Sequence, residues 1–193
     1  MLLSLETGGI VLIVVGALVL LLGVMFIAYY NSFVKLTNNA KEAYSTMDIY
    51  LKKRYDLIPN IVETVKGFAK HEEETLNGIV NARNKAISAT STSEAIAENC
   101  KLENGVKGLF ALAEQYPELK SNQNFLDLQN SLRLIEKDIE NARRYYNANV
   151  KALNTSIEKF PANIFAGLYK VEKMSLYEIS NEEERNNVKV KFD

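Results

Sequence analysis

The sequence predicts an all-α protein, with an N-terminal transmembrane helix continuous with an antiparallel four-helix bundle. Three observations carry this. Residues 8–30 (GGIVLIVVGALVLLLGVMFIAYY) hold no charge, and the next charge is Lys35. Downstream, apolar residues recur at alternating steps of three and four, the spacing of a helix face. Strand-like alternation is missing until the last residues, and proline, which interrupts helices, occurs only at 59, 117 and 161.

The span comes first. At about 1.5 Å per residue, roughly 20 helical residues cross the ~30 Å hydrocarbon core of a bilayer. A helix that is apolar on every side does not suit the surface of a soluble bundle. A cleaved secretory signal would need a basic leader, a shorter apolar run and small residues at the cleavage site. Here only Glu6 is charged ahead of the run, and the run's far edge, Met25 to Tyr30, is bulky and aromatic. The stretch therefore reads as an uncleaved anchor after a short segment 1–7, with Tyr29 and Tyr30 suited to an interfacial belt. Lys35, Lys41 and the trio Lys52-Lys53-Arg54 follow the span, whereas no Lys or Arg precedes it. The positive-inside rule then places the body in the cytoplasm. The lone Cys100 cannot form an internal disulfide, which suits a reducing compartment.

Beyond Glu6, acidic and basic side chains balance. Without a strongly basic face, nucleic acid is excluded as the expected partner. A body of ~160 residues is enough for one domain with a core.

The bundle elements follow in order. Neither Gly nor Pro occurs from Val24 to Ile58, so the span runs directly into helix one. Its seam is Phe33, Leu36, Ala40, Ala43, Met47, Tyr50, Arg54 and Leu57, coiled-coil-like with one charged member. Pro59 predicts a bend or stop at Asp56–Ile58, with Asp56 as N-cap of a helix two over about 58–88. That helix has Val62, Val65, Ala69, Leu76, Ile79 and Ala86 on one stripe, which also carries Glu72 and Arg83. Helix three starts at the capping box Ser91-x-x-Glu94, follows Leu102, Val106, Leu109, Ala113 and Tyr116, and is ended by Pro117. After the cap candidates Ser121 and Asn122, helix four alternates unbroken from Phe125 through Leu132, Ile139, Tyr146, Asn149 and Leu153 to Phe160, and Pro161 closes it. The bundle domain thus spans 31–169, and 170–193 is expected to be a mostly extended, solvated tail.

Two stretches carry a family resemblance. Residues 30–84, with KRYDLIPNIVETVKGFAKHE, and residues 125–170, with ARRYYNANV, resemble the two blocks of the LemA family. Tyr44 departs from the Trp expected in that family's EAWS-like segment. The resemblance implies a bacterial single-pass membrane protein with a cytoplasmic helical bundle and no established catalytic activity, cofactor or active site. It also implies homo-oligomeric assembly at the membrane and an association with membrane-bound quality-control proteases.

The residues themselves offer little catalytic chemistry. His71-Glu72-Glu73-Glu74 lacks the second histidine of a zinc-protease helix, and no Glu-x-x-His pair is present. Cys100 has no motif linking it to His71, and reads as a partly buried small apolar residue. Gly105 and Gly108 are too few, and too far from any strand, to cradle phosphate. No catalytic residue, cofactor or metal ligand is assigned.

The conspicuous polar residues are those on the seams: Arg54, Glu72, Arg83 and Asn149. A buried charge must pair or reach water. An Arg54–Glu72–Arg83 network is therefore expected, joined by a Tyr145 or Tyr146 hydroxyl, and serving either helix register or subunit contact. The basic clusters Lys52-Lys53-Arg54 and Arg143-Arg144 have acidic neighbours and read as solvated faces. Gly9, Gly16 and Gly23 recur every seven residues, a face through which membrane helices can associate. Val188-Lys189-Val190-Lys191-Phe192 reads as disordered rather than as a strand added to another chain.

The expected function is a non-enzymatic, membrane-anchored scaffold or adaptor whose partners are the bilayer, further copies of itself and other membrane proteins. A sensory module transmitting motion along the continuous helix is the second expectation.

Overall fold

The structure is a computed structural model and describes residues 2–178. Six helices follow in order: α1 (Leu2–Phe68), α2 (Glu73–Ser88), α3 (Thr92–Ala113), α4 (Pro117–Lys120), α5 (Gln123–Glu158) and α6 (Ala162–Leu168). The protein is all-α, and no strand occurs among the described residues. The strand-like segment Val188–Phe192 lies outside them.

α1 differs from the expected helix one. It runs unbroken for 67 residues, straight through Pro59, so Asp56 lies inside it and caps nothing. Proline removes a helical N–H and leaves the carbonyl four residues earlier, here Tyr55, without its usual donor. The Arg83 Nε–H of α2 donates to that carbonyl at 3.0 Å. A side chain 28 positions away thus satisfies the group that Pro59 orphans. The chain reverses later, at residues 69–72, and α2 begins at Glu73 without a side-chain cap.

By internal contacts the chain divides into two units, Met1–Ala43 with Ala148–Met174, and Tyr44–Asn147 with Ser175–Asp193. The first contains the apolar run, whose most hydrophobic window has a mean hydropathy of 3.3 and is 0% buried. Its core is Phe33, Ala162 and Ala166, flanked by Tyr29, Ile157, Phe165 and Tyr169. Phe165 stacks on Tyr29 with ring centroids 4.7 Å apart, and Tyr169 meets Phe26 edge-on at 4.9 Å. The Tyr169 hydroxyl donates to the Phe26 carbonyl at 2.7 Å. α6 is an element the sequence reading did not anticipate. α5 ends at Glu158, and Phe160, expected as the last seam residue, is 80% exposed.

In the second unit the closing part of α1, α2, α3, α4 and the opening part of α5 enclose a core that includes Met47, Leu51, Ile61, Leu76, Leu102 and Leu132. α2 and α3 pack so closely at Gly105 that an added Cβ would lie 3.3 Å from Cγ1 of Ile79. Between residues 47 and 58 of α1 the buried residues are Met47, Leu51, Arg54, Tyr55 and Ile58, where Tyr50 and Leu57 were expected. A helix of 3.6 residues per turn drifts from a strict seven-residue repeat, and the buried face moves one position along. Ser91 caps α3 as expected, its Oγ accepting from the Glu94 N–H at 3.2 Å, while the Glu94 carboxylate reaches back one residue further and accepts from the Thr90 N–H at 2.9 Å. Asn122 caps α5 through the Phe125 N–H at 3.1 Å.

The described part of the tail, expected to be solvated, is held. In the second unit Tyr177 is buried, and its backbone C=O and N–H pair with both halves of the Asn147 amide at 2.9 and 2.8 Å. Tyr146 donates to the Ser175 carbonyl at 2.8 Å. In the first unit Asn154 pairs in the same two-point manner with Met174. An asparagine side chain carries a donor and an acceptor, and so can stand in for one rung of a sheet.

Candidate functional site

The most heavily constrained polar constellation is built on Arg54. Its side chain has no exposed surface, which is costly for a charge unless partners surround it. One guanidinium nitrogen, Nη1, lies 3.3 and 3.4 Å from the two carboxylate oxygens of Glu136 on α5. The other, Nη2, donates to Asn99 Oδ1 on α3. Asn99 Oδ1 also accepts from the Tyr55 hydroxyl at 2.8 Å, and its Nδ2 donates to the Ala95 carbonyl at 2.8 Å. With Arg83 bonded to the Tyr55 carbonyl, one polar knot joins α1, α2, α3 and α5. Among the described residues, Nε of Arg54 has no hydrogen-bond partner.

The expected network is thus partly rearranged. Arg83 bonds the backbone of Tyr55, next to Arg54 on α1, but Arg54 pairs with Glu136 rather than Glu72. Glu72 instead accepts from the Tyr116 hydroxyl at 3.5 Å. Asn149 belongs to the other unit. Tyr146 bonds the tail rather than the knot, and Tyr145 is 55% exposed. Asn99 and Glu136 were missed. Asn99 had a signal, because it extends the α3 stripe three residues ahead of Leu102. Glu136 had none, because it lies beside the α5 stripe rather than on it.

Burial pushes the Glu136 carboxyl above its usual range, against the opposing pull of Arg54. Burial likewise raises the Tyr55 phenol, and it raises the Tyr177 phenol further. Beside the knot lies a cleft of about 290 Å³ whose polar lining is Tyr44, Asp48, Lys52, Tyr55, Asp56 and Asn99. Tyr44, standing where Trp was expected, meets Tyr146 edge-on at 5.6 Å.

This chemistry fastens helices together. His71 lies exposed in the turn before α2, and Cys100 is half-buried with Sγ 3.7 Å from the Glu178 carbonyl. Among the described residues, no three His, Cys, Asp or Glu side chains come together as a metal site would require. Gly9, Gly16 and Gly23 have nothing within 4 Å of an added Cβ.

Fold and site together define a helical protein with, among the described residues, one helix long and apolar enough to cross a membrane, at its N-terminus. The LemA family profile matches residues 43–192, and the chain belongs to that family. It is similar to Protein LemA of Metamycoplasma hominis, 24% identical over 169 residues that cover 84% of this chain and 74% of that protein. It is also similar to Magnetosome protein MamQ of Magnetospirillum gryphiswaldense, 23% identical over 172 residues, covering 74% of this chain and 63% of the relative. Magnetosome protein MamQ 1 of Paramagnetospirillum magneticum is 23% identical over 163 residues, at 71% and 60% coverage. The chain therefore spans less than two thirds of the length of these two magnetosome relatives.

Proposed function

We propose that this chain is a non-enzymatic scaffold or adaptor, anchored by residues 8–30 in a bacterial cell membrane with its body in the cytoplasm. It self-associates and presents helix faces to other membrane proteins, among which membrane-bound protease complexes are candidates. The observation that carries this reading is the unbroken α1, which joins the apolar run to the helical body without a linker. The mechanism is positional: the span sets the address, and several weak contacts held at one surface add up to a stable assembly. The open Gly9, Gly16 and Gly23 face supports self-association through the span.

Purification of the full chain in mild detergent tests the proposal. The expected result is a particle of several copies, with co-purifying membrane proteins, that Gly16→Leu reduces in size. A monomer that brings down no partner would overturn the adaptor reading. An unchanged size for Gly16→Leu would remove the glycine face from it.

The same continuity of α1 favours a second reading, a sensory module that passes rotation or tilt of the span along the helix. Cross-linking patterns along residues 33–57 that change with a membrane stimulus would favour it over a static scaffold.

A further inference from the structure

α6 presents its two faces in an unusual way. Ala162 and Ala166 point into the core of the first unit, whereas Ile164 and Leu168 on the opposite face are 61% and 65% exposed. Phe160, just ahead of the helix, is 80% exposed. Ile164 and Leu168, one turn apart, thus form an outward apolar stripe, with the exposed Phe160 just ahead of it in the chain and the exposed Lys159 and Lys170 on either side in sequence. Soluble proteins rarely leave such a stripe in water without a partner for it.

The inward contacts of α6 say where that stripe lies. Phe165 meets the Phe26 ring at 6.4 Å and stacks on Tyr29, while Tyr169 touches the Phe26 and Tyr30 rings and bonds the Phe26 carbonyl. Phe26, Tyr29 and Tyr30 all belong to the uncharged run 8–30. With about 20 residues needed to cross the hydrocarbon, the last turns of that run sit at its edge. A helix packed on those turns is at the depth of the headgroups.

We infer that α6 is an interfacial helix: Phe160, Ile164 and Leu168 insert into the lipid surface beside the span, with Lys159 and Lys170 directed to the phosphates. This gives the chain a second membrane contact, next to the span's exit although some 140 residues later in sequence than Phe26. It rests on the reading that residues 8–30 cross the bilayer. Interfacial helices bury their apolar face roughly 5–10 Å into the headgroup and acyl boundary. The other occupants of such a stripe would be a second copy of the chain or an apolar partner protein, and neither is required by its position against the span.

The chain contains no tryptophan, so single reporters can be placed in the full-length protein. Ile164→Trp and, separately, Leu168→Trp would be reconstituted in vesicles of phosphatidylcholine and phosphatidylglycerol. The acyl chains would be brominated either near the headgroup or near the bilayer centre. Leu18→Trp within the run and Leu134→Trp on the exposed face of α5 serve as references. The expected result is blue-shifted emission at 164 and 168, quenched most by the shallow bromines. Position 18 would be quenched most by the deep ones, and position 134 would be red and unquenched. Quenching at 18 with water-like, unquenched emission at both 164 and 168 would overturn the inference alone. So would a blue shift at 164 that bromine leaves untouched and that grows with protein density, which would assign the stripe to a second copy. Failure of quenching at 18 would instead overturn the anchor itself.

Discussion

Arg54 has no exposed side-chain surface, while Glu136 keeps 26% of its own, so the two halves of this ion pair are not equivalent. If Arg54 is removed, Glu136 can turn to water. If Glu136 is removed, a buried guanidinium loses the carboxylate that faces it. Breaking a buried pair so as to strand a charge costs about 3–5 kcal/mol, and the partly exposed Glu136 can recover hydration where the fully buried Arg54 cannot. Glu136→Leu is therefore expected to destabilise more than Arg54→Met at neutral pH, as read from denaturant unfolding. The reverse order would contradict this picture of the knot. A pH dependence follows as well. Because burial raises the Glu136 carboxyl in the folded state, the proton is held more tightly folded than unfolded. The associated stability is fully present below the unfolded pKa and is lost as pH rises through the folded one. Wild type should gain on Glu136→Gln as pH falls through the carboxylate range. A difference independent of pH would refute the raised pKa.

At the scale of elements, the sequence pattern located the long helices but not the reversal after α1. Pro59 is a local stop signal, and what overrides it is an Arg83 side chain 28 residues beyond the Tyr55 carbonyl that it serves, which no local rule sees. The coupling is measurable. Arg83→Met should leave the Tyr55 carbonyl short of a donor and cost about 1–3 kcal/mol. In a Pro59→Ala background, where residue 59 regains its N–H, the same change should cost markedly less. Equal costs in both backgrounds would mean that Arg83 does not serve the proline. Other elements were legible to different degrees. Ser91 with Glu94 announced the start of α3, and Asn122 that of α5, because caps are local chemistry. The described part of the tail was misjudged because its charged composition hides the feature that holds it, two asparagines one heptad apart in α5, each pairing with the tail's backbone. Asn147→Ala should cost about 1–3 kcal/mol and speed exchange of the Tyr177 amide proton, measured by hydrogen exchange. Unchanged protection there would contradict the clamp. α6 escaped notice because seven residues are too few to show a period.

For the whole molecule, the all-α class and the family were readable from residues alone, since an uncharged run of this length and sustained helical spacing leave few alternatives. The polar knot was readable only in part, because Arg54 stood out on a seam while Glu136 did not. The proposed role depends on neither detail so much as on the bilayer holding residues 8–30. The most direct measurement is alkaline carbonate extraction of membranes from cells making the full chain. The account predicts that the protein stays in the membrane pellet and leaves it only with detergent. Release into the carbonate supernatant, or recovery with the soluble fraction before extraction, would contradict it.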